Sequence, residues 1–124
     1  MKSVKGTNKA DESLTIFSAK GALTREEVLN FLDGFYKHVT PNLLCDFLDV
    51  DASKLTQDDL EQIIEFSKSN AHLRKNGKTA FVTTSGLSFG MARMYELLAE
   101  AEKHPIRIYV FNDKKKALTW LQTN

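Results

Sequence analysis

The chain has 124 residues, 42% hydrophobic and 27% charged, with a formal net charge of +1. That length is one ordinary domain, able to bury about two-thirds of its unfolded surface without staples, and the balance of residues is that of a folded globular protein. The near-neutral charge argues against nucleic-acid binding, which needs a dense basic face; no apolar run of about 18 residues and no N-terminal apolar segment is present, so no membrane span is expected and the expected location is cytoplasmic.

In chain order, residues 1–12 are polar and without periodicity, and they read as a disordered tail before a single domain over residues 13–124. Leu14 and Ile16 open a first strand that turns at Ala19–Gly21. Thr24 and Glu27 then form a T-x-x-E capping box, and Val28, Phe31, Leu32, Phe35 and Val39 recur at the spacing of a core-facing helix that Pro41 stops. The run LLCDFLDV is nearly continuous and apolar, which predicts a strand covered on both faces, with the lone Cys45 a small buried hydrophobe. Thr56 and Asp59 repeat the capping signature for a second helix, whose stripe is Leu60, Ile63, Ile64, Ser67 and Ala71 and whose end falls near Arg74. Asn76-Gly77 supplies a turn into the strand KTAFVTT, and Leu87, Met91, Met94, Tyr95 and Leu98 predict the inward stripe of a third helix. After Pro105 the run IRIYVF alternates as a strand, and Asn112 or Asp113 caps a last helix carrying Ala117, Leu118, Trp120 and Leu121. Strands alternating with helices of this length predict one α/β domain with a largely parallel sheet.

The stretch from Gly77 to Leu98 carries the most functional information, because a strand passes through a Ser/Thr/Gly turn directly into a helix. Ligands of open α/β sheets bind outside the carboxyl ends of strands. Gly86-Leu87-Ser88-Phe89-Gly90 matches G-x-S-x-G, the nucleophile elbow, but the only downstream histidine is His104 and the intervening acids Glu96, Glu100 and Glu102 all fall on the third helix or its end. The preferred reading has Gly86 and Gly90 allowing a tight turn and close helix packing, with Ser85 or Ser88 as the helix cap and no catalytic residue. A ligand at the free N–H groups of the helix start would meet Ser85, Gly86, Ser88, Phe89 and Gly90, with Arg93 as a counter-charge one turn inside. No Gly-Lys-Ser/Thr follows, so a phosphate loop is excluded.

Asp49-Val50-Asp51 resembles the paired aspartates of haloacid-dehalogenase-like enzymes, yet a magnesium site there needs a further acid and only Asp113 follows the last strand. The bland reading is a strand end and turn. His38, His72 and His104 fall at three separate helix ends with no second ligand at metal spacing, so no metal and no cofactor is expected; each reads as an imidazolium capping helix carbonyls. The basic clusters Arg74, Lys75, Lys78 and Lys114–Lys116 read as solvated.

From Leu14 to Leu121 the order of elements resembles SpoIIAA-like proteins of the STAS and CRAL-TRIO type. The matching stretches are GKTAFV, Leu87, Phe89-Gly90-Met91, Arg93-Met94, and Val110-Phe111 to Ala117-Leu118 and Trp120-Leu121. The resemblance implies a mixed sheet of about four strands with helices packed against it, a first strand antiparallel to the rest, and no catalytic centre. In relatives that antagonise anti-sigma factors, a serine in D-S-S-G is phosphorylated; this chain has Asp51-Ala52-Ser53-Lys54, which leaves Ser53 as the phosphorylation candidate while lacking the first serine and the glycine.

The expectation is a non-enzymatic binding or regulatory module acting through its sheet edge or the Thr83–Arg93 junction, on a protein partner or as a homodimer. The alternative is a carrier of a small apolar or lipid-like ligand among Phe81, Leu87, Phe89, Met91 and Met94; an esterase using Ser88 is the least favoured.

Overall fold

The computed structural model describes residues 4–11, 13–84 and 86–123. Five strands form one sheet in the order β1-β2-β3-β4-β5: β1 (Val4–Asp11), β2 (Leu14–Ala22), β3 (Asn42–Asp51), β4 (Lys78–Val82) and β5 (Arg107–Phe111). Helices α1 (Arg25–Phe35), α2 (Gln57–Ser69) and α3 (Gly86–Ala101) connect β2 through β5, and α4 (Lys114–Leu121) closes the fold. Strands β2 to β5 run parallel and β1 is antiparallel to β2.

The first correction concerns the polar segment taken for a tail. Residues 4–11 form β1, paired with β2 from Val4↔Ala19 to Asp11↔Leu14, so the sheet has five strands rather than four. An edge strand needs a ladder on one side only, and the absence of apolar alternation does not prevent it from pairing. Residues 1–3 and 12 of the expected tail lie outside the described residues.

Both capping boxes form as the sequence predicts: Thr24 with Glu27 at α1 and Thr56 with Asp59 at α2. Asp113 caps α4 by accepting from the Lys115 N–H at 2.7 Å. Helix α1 ends at Phe35, well before Pro41, and α2 gives way after Ser69 to a 3₁₀ turn, Ala71–Arg74. That turn reverses through Lys75 and Asn76, both at positive φ, into Gly77. A Cβ on Gly77 would lie 1.6 Å from the Pro41 carbonyl oxygen, so the two loops can touch only because this residue has no side chain.

The sheet has one core on each face. Phe17, Leu43 and Cys45 point toward α1, α2 and α3 and pack with Phe31, Phe35 and Ile63. Leu44, Ala80 and Val82 point the other way, toward Ala117 and Leu121 of α4. The β3 expectation holds for Leu43–Cys45, but β4 pairs with β3 only as far as Asp46, while β2 continues beside it to Asp51. The far end of β3 therefore overhangs the sheet, and Leu48 and Asp49 are exposed.

Helix α3 is rotated from the expected stripe: Met91 and Tyr95 turn inward as predicted, but Leu87 and Met94 do not. Ser88, Ala92 and Ala99 are buried, with Met91 and Tyr95 packed against the core, while Leu87 is 56% exposed and Met94 faces solvent. The helix is apolar on more than one side, so periodicity left its rotation open.

Candidate functional site

The β4–α3 junction is a fastening rather than a reactive centre. Ser88 is buried, and its hydroxyl donates to the Val50 carbonyl at 2.8 Å, tying the first turn of α3 to the overhanging end of β3. His104 lies beyond the far end of a helix of 16 residues, about 24 Å long, so its imidazole does not reach that hydroxyl. Ser85 lies outside the described residues. Phe89 is half-buried, and Gly86 and Gly90 have nothing within 4 Å of where a Cβ would stand, so the expected close packing at these glycines is not what they serve. Arg93 is exposed and reaches Glu96 at 2.7 Å instead of turning to the helix start. The five described candidates thus do not converge on one point. Thr83, just before them, is 1% exposed, and its Oγ1 is the one buried side-chain polar atom without a hydrogen-bond partner among the described residues.

Polar chemistry gathers instead between α2, α3 and the start of β5. The Ser67 hydroxyl donates to the Ile64 carbonyl and stands 2.7 Å from His104 Nε2 and 3.5 Å from the Tyr95 hydroxyl. His104 Nδ1 accepts the Ile106 N–H at 3.1 Å, which assigns the ring proton to Nε2 and makes it the donor to Ser67. Burial, then the charges of Arg74 and Lys68, push the His104 pKa down to about 4. The expected imidazolium cap is therefore a neutral ring joining α2 to the segment that leads into β5.

A second correction concerns Arg74 and Lys78, which the sequence placed in a solvated cluster. Both are only 3% exposed. Arg74 Nε donates to the Pro41 carbonyl at 3.1 Å, Nη1 to Thr79 Oγ1 at 2.8 Å and Nη2 to the Lys78 carbonyl at 2.8 Å, with the guanidinium against the Phe35 ring. Lys78 Nζ points to the opposite face, donating to the Trp120 and Thr123 carbonyls, each at 2.6 Å.

Between the sheet and α1, α2 and α3 lies a cavity of about 90 Å³. Its body is apolar and aromatic: Phe17, Phe31, Phe47 and Phe81 line it, together with Leu23 and Met91. Phe17 stacks on Phe31 with ring centroids 3.7 Å apart, and Phe47 meets Phe17 edge-on at 5.4 Å. The polar groups just described also line it, with Tyr36, Tyr95, Ser67, His104 and Arg74 facing the same space as Cys45. Burial pushes the Tyr36 hydroxyl and the Cys45 thiol each up to about 12, and raises Tyr95 as well. Of the apolar-ligand candidates, Phe81 and Met91 line the cavity; Leu87 and Met94 face outward. The sequence places Ser67 and Tyr95 on inward stripes but missed Arg74, which sits in a turn, where no periodicity says which way a side chain points. A second depression, of about 330 Å³, lies where α3 meets β5, beside Glu96, Glu100, Arg107 and Tyr109.

The remaining candidates lie at the overhang. Asp51 accepts the Ser53 N–H at 2.9 Å, Asp49 is exposed, and no cluster of three metal-ligating side chains occurs among the described residues. Ser53 is exposed in the turn before α2. No described helix is long and apolar enough to cross a membrane.

The architecture defines a class: this is an α/β protein of SpoIIAA-like fold. It is similar to the crystal structure of an uncharacterised protein of the DUF3478 family, with a SpoIIAA-like fold, from Shewanella loihica PV-4. The TM-score is 0.62 at 20% identity, over 98% of this chain and 95% of that one. The chain matches no protein-family model and no curated protein.

Proposed function

We propose that this protein is a non-enzymatic binding module that holds a small apolar molecule in the cavity between its sheet and α1–α3. One observation carries the reading: an aromatic-lined space of about 90 Å³ coincides with a few converging polar groups, the usual make-up of a small-molecule site. Ser88 and His104 are engaged elsewhere than with each other, the Ser88 hydroxyl on the Val50 carbonyl and the His104 ring on Ser67, which supports a binding role over a nucleophilic one. Straight-chain alcohols test the idea directly. Binding is expected to move the NMR methyl signal of Met91 and raise the melting temperature, and Ala92→Leu, which fills the space from α3, is expected to abolish both effects. No response of the wild-type protein either to the alcohols or to the carboxylates of the same chain lengths would sink the reading.

A protein partner or a second copy is favoured by a separate feature. Leu87, Met94 and Leu97 share one exposed stripe of α3, with Leu87 56% and Leu97 54% exposed. Light scattering over a concentration series tests self-association, and an unchanged monomer mass would remove the homodimer. A regulatory role through Ser53 rests on its exposure alone.

A further inference from the structure

We infer that the cavity is built for a small apolar monocarboxylate, whose chain lies among the phenylalanines and whose carboxylate is received by Arg74. The inference rests on the binding role proposed above and adds the chemical class of the ligand.

A guanidinium buried to 3% exposure is costly unless an anion accompanies it. Arg74 has none: its three acceptors are two backbone carbonyls and one threonine hydroxyl, and it makes no ion pair among the described residues. Three of its five N–H donors are used in those bonds, which leaves two without an acceptor among the described residues on a side chain that lines the cavity. No Asp or Glu lines the cavity among the described residues. Cys45 does not serve as the counter-anion, because burial keeps its thiol protonated. Around Arg74 the other polar groups also offer protons. The Tyr36 hydroxyl donates to the Ser67 carbonyl, and the Tyr95 hydroxyl approaches Ser67 Oγ; each contact is 3.5 Å long, weak enough to be exchanged for a carboxylate oxygen. The site therefore has surplus donors, one uncompensated positive charge and an apolar remainder. A single carboxylate matches that count, since the other buried cation, Lys78, is bonded on the opposite face of the sheet.

The test titrates the wild-type protein at neutral pH with butanoate, hexanoate and octanoate and with the alcohols of the same chain lengths, following the Met91 methyl signal and the melting temperature. At matched length the carboxylate is expected to bind about tenfold more tightly than the alcohol or better, because charge-assisted bonds to a desolvated guanidinium exceed those to a neutral hydroxyl. Arg74→Gln is expected to erase that preference while alcohols still bind. Should that variant fail to fold, the wild-type comparison decides alone. Equal or tighter binding of the alcohols would overturn the inference and leave the apolar site standing. Binding of neither series would overturn both.

Discussion

The Ser88 hydroxyl lies 2.8 Å from the Val50 carbonyl and donates to it, so the residue at the centre of a hydrolase-like motif fastens α3 to β3. Ser88→Ala is expected to lower stability by about 1–2 kcal/mol, the cost of leaving a buried carbonyl short of a donor. Urea denaturation reads the loss. The same variant is expected to leave any ester hydrolysis by the preparation unchanged, and loss of such activity would revive the nucleophile.

The glycines separate by what surrounds them. Gly77→Ala places a methyl group 1.6 Å from the Pro41 carbonyl oxygen, so the expected outcome is loss of more than about 3 kcal/mol or failure to fold. Gly90→Ala adds a Cβ in open space inside α3 and is expected to stabilise by about 0.5–1 kcal/mol through helix propensity. Melting temperatures of the two variants should move in opposite directions. A destabilised Gly90→Ala would restore the close-packing role that the sequence suggested.

His104 makes stability depend on pH. Its folded pKa is about 4 against an ordinary 6.5, so protonation favours the unfolded chain. The stability it contributes is fully present above pH 6.5 and is lost as pH falls from there toward about 4. Because solvent still reaches part of the ring, the expected loss is about 1–2 kcal/mol rather than the full linkage value. Denaturation midpoints at several pH values check it, and His104→Asn should flatten the slope over that interval. An unchanged slope in the variant would place the titration elsewhere.

Thr83 buries a hydroxyl that has no partner among the described residues. Thr83→Val keeps the shape and removes the unsatisfied group, so the protein should become more stable by about 1 kcal/mol. A clear loss of stability instead would mean that the hydroxyl has a use at the β4–α3 junction.

Local signals were legible where they are short-range. Thr24 with Glu27 and Thr56 with Asp59 mark their helices because a capping box is completed within four residues, and the unbroken apolar run through Leu43, Leu44 and Cys45 marks a strand between two cores for the same reason. The site was not legible in that way. Arg74, Tyr36, Ser67, Tyr95 and His104 come from five separate stretches, and only the packing of α2 and α3 on the sheet brings them to one cavity.

By itself the sequence determined the alternation of strands and helices, the caps, and the apolar faces of α1 and α2, since these follow from neighbours along the chain. Tertiary structure alone decided that residues 4–11 pair as an edge strand, which face of α3 turns inward, and that Arg74 is buried. Each of those three outcomes is set by a contact that no periodic pattern of side chains encodes: the free edge of β2 pairs with a polar strand, the Ser88 hydroxyl at the first turn of α3 bonds the Val50 carbonyl, and the Pro41 carbonyl with Thr79 receives the guanidinium.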